Sequence, residues 1–481
     1  MNYYEYPKTL TDKKKKELGI VYTPKSEVSY INQSCLDLWE EDSPPRVIDF
    51  SCGTGVFLHD MAERISTRYN LSYSEVMNNY IYGSDVDSDA LKICENLTGC
   101  PNLENRNGLE VNLEPYDMIV GNPPYVRLQN LDLLTREKLE SFEWCHGDTD
   151  LYIAFLQRIM MSDKIYGFIC PNSWLYTAAG KEVREELLTS RRPTELIDFR
   201  AHQVFKGVGA YCSIVIANNV TSDSYVFKTN LNSAAAHNRY DDVNEENFYL
   251  NSQEAEFLSR VADKKLAFAD CFDVKVGLAT LADKVYFLPD CQIKDNLIYC
   301  PEKDLYVEKD ITKLCFKASK LSYYDTNRQD YIIFPYNSKG NCYEDHFVKN
   351  TYPLAYEYLT QNKDKLLSRD KGKFAKLCES GKAIWFQYGR LQAIKMGGEK
   401  ILLSTLDKEI RFKRIKQGYF ISGYCVLPKE GYNFDDIENC LSHPDATSFL
   451  NLKGKPMSGG YYSVSKQLFN SFRFNKNEDK K

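Results

Sequence analysis

The chain has 481 residues, a formal net charge of −6 and fifteen cysteines. This length suffices for two or three domains with a large core, and no apolar run reaches the roughly 18 residues that a membrane span requires. Residues 1–16 are polar and rich in lysine, unlike a signal peptide. The absence of a Cys-x-x-Cys pair and of metal-ligand spacing among the six histidines argues against a zinc site and favours reduced thiols in a cytoplasm.

Short apolar segments alternate with helical patterns through the first half of the chain. The strand-like runs are residues 47–50, 81–84, 118–121, 166–170, 196–199 and 212–217. This alternation predicts an α/β domain with a mostly parallel sheet over residues 1–230. Residues 231–247 are polar and lack periodicity, and we interpret them as a linker. Helices mixed with short strands then predict an α+β domain over residues 248–481.

The first predicted strand runs directly into a glycine turn. Residues 47–55 read Val-Ile-Asp-Phe-Ser-Cys-Gly-Thr-Gly, and an apolar helix start follows. Such a strand–turn–helix places a nucleotide-like ligand over the carboxyl end of the strand, where Gly53 and Gly55 let the backbone approach it. Leu58 stands where a dinucleotide fingerprint has its third glycine, which argues against NAD. Asp85 ends the second predicted strand and could hold the two hydroxyls of a ribose.

The sequence Asn-Pro-Pro-Tyr at residues 122–125 follows the third predicted strand. An exocyclic amino group on a planar base is a poor nucleophile, but the side-chain oxygen of Asn122 and the next carbonyl can accept its hydrogens and free its lone pair. The two prolines fix this backbone, and Pro123 has no N–H to compete. Tyr125 offers a ring face for an unstacked base. The alternative is a surface turn, because Asn-Pro and Pro-Pro are turn dipeptides.

Taken in chain order, these motifs resemble the gamma-class DNA adenine-N6 methyltransferases of restriction–modification systems, the TaqI-type group. The segments that carry the resemblance are residues 19–24 (Gly-Ile-Val-Tyr-Thr-Pro), 49–55, 85, 122–125 and 168–174 (Phe-Ile-Cys-Pro-Asn-Ser-Trp). The resemblance implies a Rossmann-like S-adenosylmethionine-dependent methyltransferase domain with a seven-stranded sheet, followed by a target-recognition domain. It also implies methyl transfer to N6 of a flipped adenine in double-stranded DNA, which protects host DNA from a cognate restriction endonuclease.

Carried over by position, the resemblance assigns roles to individual residues. The cofactor, S-adenosyl-L-methionine, would contact Thr23, Asp49, Cys52, Gly53, Gly55, Asp85, Val86, Asn107 and Asn122. Asn107 departs from the family, which has an aspartate there. Catalysis would rest on Asn122, Pro123 and Tyr125 without a metal, and the flipped base would lie between Tyr125 and Phe205. The alternative for Phe205 is a core aromatic at a strand end.

A basic window in the second half offsets the negative net charge. Residues 361–420 contain 15 Lys and Arg against 6 Asp and Glu, interleaved with aromatic residues. This mixture is typical of a surface that follows phosphates and reads bases, although a solvated face would have the same composition. We predict DNA contacts at Trp385, Arg390, Arg411, Lys413 and Arg414. For Trp385, a place in the core is an equally good interpretation. Residues 276–280, 385–390 and 458–462 resemble turns of the family's C-terminal domain.

Other functions could use the same tetrad. Protein-glutamine N5 methyltransferases and RNA base amino methyltransferases meet the same chemical problem, but the former are small and have no comparable second half. Fusion restriction enzymes carry a nuclease ahead of this core, for which we expect no room before residue 18. A DNA-binding module without activity is disfavoured by the intact tetrad and glycine turn. We expect a cytoplasmic monomer that needs no stable protein partner and no membrane.

Overall fold

The structure, a computed structural model, describes residues 3–11, 14–15, 18–127, 130–131, 133–146, 149–205, 211–325, 327–457 and 461–476. The chain divides into two compact units. The first unit comprises Met1–Phe257 and Lys455–Gly460, and the second comprises Leu258–Gly454 and Tyr461–Lys481. Within the described residues, no helix combines the length and the apolarity needed to cross a membrane.

A nine-stranded sheet with the order β3-β2-β1-β4-β5-β7-β6-β8-β9 forms the centre of the first unit. Its strands are β1 (Val47–Asp49), β2 (Ile81–Asp85), β3 (Leu103–Asn105), β4 (Met118–Gly121), β5 (Ile165–Pro171), β6 (Pro193–Asp198), β7 (Cys212–Ala217), β8 (Ser224–Lys228) and β9 (Ala236–Arg239). β1 to β5 pair in parallel, and β7 lies antiparallel between β5 and β6. Every residue of β1, β4 and β7 is buried, so both faces of the central sheet are covered.

The helices of the first unit follow the strands in alternation, as expected for an α/β domain. They are α1 (Tyr6–Thr9), α2 (Lys25–Asp37), α3 (Val56–Tyr69), α4 (Tyr73–Asn79), α5 (Ser88–Thr98), α6 (Leu133–Leu139), α7 (Tyr152–Met160), α8 (Ser173–Tyr176) and α9 (Lys181–Ser190), with 3-10 turns at Gly108–Glu110, Ala178–Gly180 and Tyr240–Asp242. The next helix, α10 (Ser252–Ala262), begins in the first unit and ends in the second. The predicted mostly parallel sheet is confirmed, but it has nine strands instead of the predicted seven.

The prediction of a linker at residues 231–247 is wrong. This segment contains β9, which pairs antiparallel with β8, and β8 in turn pairs in parallel with β6. β9 is the edge strand of the sheet, and its residues alternate between half-buried and exposed. Its polar composition therefore reflects an edge that faces water rather than a free connection. The boundary between the units falls after Phe257, and residues 455–460 return to the first unit.

The second unit has a mixed α+β architecture, as predicted. Its helices are α11 (Phe268–Cys271), α12 (Asp283–Tyr286), α13 (Asp345–Thr351), α14 (Pro353–Gln361), α15 (Lys363–Leu367), α16 (Lys373–Glu379), α17 (Phe434–Ser442), α18 (Pro444–Lys453) and α19 (Lys466–Ser471), with 3-10 turns at Pro301–Lys303, Lys309–Ile311, Ala318–Asp325 and Asp370–Gly372. Its main core cluster contains several buried aromatic rings, of which Tyr286, Phe386 and Tyr388 are completely buried.

Several small sheets complete the second unit. The remaining strands of the chain are β10 (Leu266–Ala267), β11 (Phe272–Val276), β12 (Phe287–Leu288), β13 (Gln292–Lys294), β14 (Leu297–Cys300), β15 (Leu305–Glu308), β16 (Thr312–Lys317), β17 (Tyr331–Ile333), β18 (Lys400–Leu403), β19 (Leu406–Asp407), β20 (Phe412–Ile415), β21 (Tyr419–Ile421), β22 (Tyr424–Pro428), β23 (Lys455–Met457, in the first unit), β24 (Tyr461–Ser463) and β25 (Arg473–Phe474). Two four-stranded sheets, β11-β22-β18-β20 and β12-β17-β16-β21, are the largest.

Candidate active site

The two sequence motifs meet where the strand order of the first unit reverses. β1 lies between β2 and β4, so the chain moves outward from β1 through β2 and β3 and then returns to the other side of β1. In open α/β sheets, ligands bind at such a switch point, beyond the carboxyl ends of the strands. Asp49 ends β1, Asp85 ends β2 and Asn122 follows β4. The fold therefore gathers all three side chains at one edge of the sheet.

A cavity of about 370 Å³ opens at this edge, within the size range of small-molecule sites. Eight of the nine predicted cofactor residues line it: Thr23, Asp49, Cys52, Gly53, Asp85, Val86, Asn107 and Asn122. Apolar residues that the motifs did not reveal complete the wall, including Phe50, Phe57, Ala90, Leu151 and Phe155. Apolar walls with a few convergent polar groups are typical of a cofactor site.

Gly55 is the predicted cofactor residue that does not line the cavity. It precedes α3 with a φ of +88°, in the left-handed region that favours glycine. A Cβ at this position would lie 2.4 Å from the Sγ of Cys94 and 3.3 Å from the Cγ2 of Thr98. The contact of Gly55 with the cofactor stays a prediction, and in the structure this glycine is needed for the packing of α3 against α5.

Gly53, in contrast, connects the glycine turn to the second strand. Its backbone N–H donates to the Oδ2 of Asp85 at 2.8 Å, and its φ is +53°. The Oδ1 of Asp85 accepts from the N–H of Asp87 at 2.8 Å, so both carboxylate oxygens are held by backbone donors. A carboxylate fixed in this way has a defined orientation toward a ligand in the cavity.

The cavity contains two buried carboxyl groups that suit a cationic ligand. Asp49 is 2% exposed, and its Oδ1 accepts from the N–H of Ser51 at 3.0 Å. Burial raises the pKa of Asp49 to about 8, and the nearby charge of Asp85 raises it too. Burial also raises the pKa of Asp85. A positive ligand would offset this desolvation and favour both ionised forms. S-adenosylmethionine, which carries a sulfonium and an ammonium group, fits this donor set.

Asn122 presents a buried hydrogen-bond acceptor that has no partner among the described residues. Its Nδ2 donates to the carbonyl of Val21 at 2.9 Å and to the Oγ1 of Thr23 at 3.2 Å. Because a carbonyl can only accept, these contacts fix which end of the amide is nitrogen. Its Oδ1 is buried without a hydrogen-bond partner. Leaving a buried acceptor unpaired costs about 1–3 kcal/mol, and such groups in native proteins call for a functional explanation.

Neighbouring segments hold the tetrad in place. The Oγ of Ser51 donates to the backbone carbonyl of Asn122 at 3.1 Å, and the N–H of Tyr125 donates to the carbonyl of Gly19 at 3.2 Å. A Cβ on Gly19 would lie 2.7 Å from the backbone nitrogen of Tyr125. In this segment, Thr23 is the residue for which the sequence predicted a role. The roles of Val21 and Gly19 escaped prediction because both act through backbone carbonyls, which any residue possesses.

Tyr125 and Phe205 are neighbours, but they do not form an open slot. Their ring centroids lie 6.1 Å apart with an angle of 60° between the planes. Phe205 is 2% exposed and packs in the main core of the first unit. A base between two parallel rings would need them about 7 Å apart, given contact distances near 3.5 Å on each face. In this conformation Phe205 is therefore a core aromatic, and its role on the base stays a prediction. Residues 206–210 lie outside the described residues.

Asn107 and Val86 line the same cavity, and they differ in their contacts and in their exposure. The Oδ1 of Asn107 accepts from the N–H of Leu109 at 3.0 Å and caps the 3-10 turn that follows. This contact identifies which end of the Asn107 amide is the oxygen, which the sequence alone does not show. Val86 is 56% exposed and lies next to Asp85, where an apolar ring could cover it. Among the described residues, no group of three or more His, Cys, Asp or Glu is placed to hold a metal ion.

Among the predicted DNA contacts, Trp385, Lys413 and Arg414 have the following partners inside the second unit. The Nε1 of Trp385 donates to Asp345 at 2.6 Å, and its ring packs edge-on against the buried Phe386. The Nζ of Lys413 donates to the carbonyl of Tyr324 at 2.6 Å and to Asp325 at 3.0 Å. Arg414 donates to Glu399 at 2.8 Å and to Asp435 at 2.7 Å.

These contacts change the expectation for the basic window. Trp385, Lys413 and Arg414 contribute to the packing and charge balance of the second unit, and DNA contact stays a prediction for them. Arg390 and Arg411 are exposed, and DNA contact stays a prediction for both. Of the three turns that resembled the family's C-terminal domain, residues 458–460 lie outside the described residues.

The fold and the cavity define a class: a Rossmann-like, S-adenosylmethionine-dependent methyltransferase. Residues 95–205 match the family model described as Eco57I restriction-modification methylase. The chain is similar to the Type II restriction enzyme and methyltransferase RM.Eco57I of Escherichia coli, with 24% identity over 351 residues that cover 65% of this chain and 35% of that protein. It is similarly related to the Type II methyltransferase M.BanIII of Aneurinibacillus aneurinilyticus, with 24% identity over 500 residues, 88% of this chain and 83% of that protein.

A solved structure supports the fold over almost the whole chain. The Type IIL restriction-modification enzyme MmeI, solved in complex with DNA, superposes with a TM-score of 0.65 at 13% identity. The match covers 96% of this chain and 69% of that one. The predicted resemblance to methyltransferases of restriction–modification systems is confirmed, as are the fold class and S-adenosylmethionine as its cofactor. The chain spans only about a third of RM.Eco57I.

Proposed function

We propose that the protein is a site-specific DNA methyltransferase that transfers a methyl group to the N6 amino group of adenine in double-stranded DNA. The observation that carries this proposal is the unpaired, buried Oδ1 of Asn122 beside the cofactor cavity. The amide is oriented by Val21 and Thr23, so its acceptor is preorganised for an amino group. A conjugated amine is the type of nucleophile that needs such an acceptor.

The residues of the tetrad act on the amine as it reacts. Asn122 Oδ1 and the carbonyl of Pro123 accept the two amino hydrogens, and these hydrogen bonds strengthen as the nitrogen becomes tetrahedral. The cofactor supplies a methyl group on a positively charged sulfur. The amine would take up that methyl group as the sulfur keeps the electron pair of the broken bond and leaves as a neutral thioether, and the surplus amine proton would pass to water. Holding both reactants in line supplies most of the remaining acceleration.

Tyr125 gives the extruded base a surface to lie on. Its ring is half-buried, it follows Asn122 by three residues in sequence, and its hydroxyl lies 3.9 Å from the Sγ of Cys212. An adenine must leave the helical stack to reach a site of this kind, and stacking on an aromatic ring repays part of that cost. Phe205 can cover the second face only if its ring moves from the core position described above.

We assign catalysis to the first unit and DNA recognition to the second. The 24% identity to M.BanIII over 88% of the chain supports this division, as does the fold likeness to the DNA-bound MmeI. The same relatives support a place in a restriction–modification system. We further propose a cognate endonuclease as its counterpart and a monomer in the cytoplasm as the working state. Protein-glutamine N5 and RNA base amino methyltransferases are the second candidates, but neither requires a second unit of this size.

The experiment that separates these candidates is a transfer assay with tritiated S-adenosylmethionine. Purified protein is offered duplex DNA, structured RNA or a release-factor protein in parallel. We expect label only in the duplex DNA, and N6-methyladenine as the sole labelled nucleoside after digestion. Label in RNA or protein with unlabelled DNA would replace the proposal with the second candidate.

A further inference from the structure

Two loops of the second unit lie side by side and expose a mixed apolar and polar edge. We define the paired loops as residues 277–282 and 387–392. The N–H of Arg390 donates to the carbonyl of Ala279 at 3.1 Å, and the N–H of Gly389 donates to the carbonyl of Thr280 at 3.1 Å. Ala279 and Arg390 form an isolated antiparallel bridge. The two loops are therefore one element, although the sequence separates them widely.

A buried arginine forms hydrogen bonds to the backbones of both paired loops. Arg369 is 4% exposed, and its Nη1 donates to the carbonyl of Thr280 at 3.0 Å and to that of Gln387 at 2.8 Å. Its Nη2 donates to the carbonyl of Trp385 at 2.9 Å, and its Nε to that of Leu366 at 2.6 Å. A single rigid guanidinium thus holds both loops by their backbones, which fixes their separation.

The edge of the paired loops carries a strained, exposed leucine. Leu281 has a φ of +56°, in the left-handed region that L-residues other than glycine rarely adopt, and it is 44% exposed. Its side chain lies over Gly389, where a Cβ would come within 2.5 Å of the leucine Cγ. Strain of this kind persists only where the surroundings impose it, and it concentrates at binding sites. Leu391, on the second loop, is 57% exposed.

The exposed polar residues between these leucines suit base edges. Arg390 is exposed and has no side-chain hydrogen bond or ion pair within the described part of the chain, in contrast to Arg414. Gln392 is also exposed. Within the described residues, its side chain forms one long hydrogen bond, from Nε2 to the carbonyl of Gly277 at 3.4 Å. Arginine reads guanine and glutamine reads adenine in the major groove, while apolar groups contact thymine methyls or separate base steps.

We propose that the paired loops form a base-reading edge of the second unit, with Leu281, Arg390 and Leu391 in contact with duplex DNA and Arg369 as their positioning residue. This inference rests on the proposed function, because it assigns sequence reading for the same reaction. The positive excess of residues 361–420 favours a polyanionic partner over a protein one. The paired loops do not include Lys413 or Arg414, which form ion pairs within the second unit.

The test compares methylation rates on matched duplexes. The recognition site is first mapped with the wild-type chain, and kcat/KM is then measured on that site and on each single-base-pair variant of it. Leu281→Ala, Arg390→Ala and Leu391→Ala should each lower kcat/KM on the mapped site by about tenfold or more and reduce the discrimination at one position. Leu377→Ala, an equally exposed leucine on α16, is the control and should change neither quantity.

Arg369→Met and Arg369→Lys extend the test to the positioning residue. Partial unfolding lowers the rates on all duplexes by one factor, whereas misplaced loops change the ratio between the mapped site and its variants. We expect both substitutions to reduce the ratio at the positions read by the loops. Unchanged ratios in all three loop variants, or a uniform loss that indicates phosphate contacts, would overturn the inference. A wild-type chain that methylates no DNA would instead refute the proposed function.

Discussion

The Nδ2 of Asn122 donates to the carbonyl of Val21 across 101 residues of sequence, at 2.9 Å. This hydrogen bond decides which way the amide faces, and it leaves the Oδ1 of Asn122 buried without a partner among the described residues. The acceptor that we propose for catalysis is therefore oriented by a segment to which we assign no catalytic side chain. Thr23 supplies the second contact through its hydroxyl, at 3.2 Å.

Thr23→Val should lower turnover more than cofactor affinity. The substitution keeps the shape of the side chain and removes one acceptor from the Nδ2 of Asn122, so the amide gains freedom to rotate. We expect a fall in kcat of about tenfold, comparable to the loss of one charge-free hydrogen bond of about 1 kcal/mol or slightly more. Thr67→Val, in which the lost hydroxyl bonds only to its own helix, is the control. An unchanged kcat would contradict the orienting role.

Cofactor binding should strengthen with rising pH and release protons. Burial holds the pKa of Asp49 near 8, so this carboxyl is mostly protonated at pH values well below that. A cationic cofactor favours the ionised form, and the affinity should therefore rise as the pH approaches about 8 and level off above it. Calorimetry in two buffers of different ionisation enthalpy measures the proton release. Asp49→Asn should bind more weakly and release fewer protons, because only Asp85 then remains to ionise; identical proton release in this variant would contradict the assignment.

Gly55→Ala should destabilise the first unit, because the new Cβ collides with the Sγ of Cys94. Gly99→Ala is the matched control: its φ is also positive, at +69°, but no atom lies within 4 Å of its Cβ position. We expect thermal unfolding to show a larger loss for Gly55→Ala than the roughly 1 kcal/mol that the backbone conformation alone costs. Adding Cys94→Ala should recover part of the difference. Equal losses at the two glycines would contradict the packing role.

Base extrusion should depend on Tyr125 and be separable from the stability role of Phe205. With 2-aminopurine at the target position, binding should raise fluorescence as the base leaves the stack. Tyr125→Ala should weaken this complex by roughly 1–3 kcal/mol, while Tyr125→Phe keeps the ring and should retain it. Phe205→Ala should lower the free energy of unfolding by about 3–5 kcal/mol, as expected for a core aromatic. A fully stable Phe205→Ala protein would contradict its burial.

The sequence predicted the central strands well because buried parallel strands are continuous apolar runs. β1, β2 and β4 were placed to within one residue, whereas β3, β8 and β9 were missed. β3 and β9 are edge strands with exposed side chains, and β8, next to β9, buries only two of its five residues. The cofactor cavity was predictable because its residues follow strand ends that a parallel sheet must bring together. The environment of Gly55 was not, because its collision partner lies on another helix.

For the second unit, the sequence predicted much less about individual residues. Composition identified a basic, aromatic window, but it could not separate Arg414, which bonds to two carboxylates, from the exposed Arg390. Nor could it reveal that Arg369 joins two distant loops through their carbonyls. Partner choice among like residues depends on tertiary contacts, which leave no periodic trace in the sequence.

The most direct test of the account compares the wild-type chain with Asn122→Ala. Both are expressed in a host that lacks adenine methylation, cofactor binding is measured by calorimetry on the purified proteins, and genomic nucleosides are quantified by mass spectrometry. We predict N6-methyladenine from the wild type, and from Asn122→Ala normal cofactor binding with methylation slower on the order of a hundredfold or more. Asn112→Ala, an exposed asparagine of the same unit, should behave as the wild type. An Asn122→Ala protein that methylates adenine at the wild-type rate would contradict the central claim.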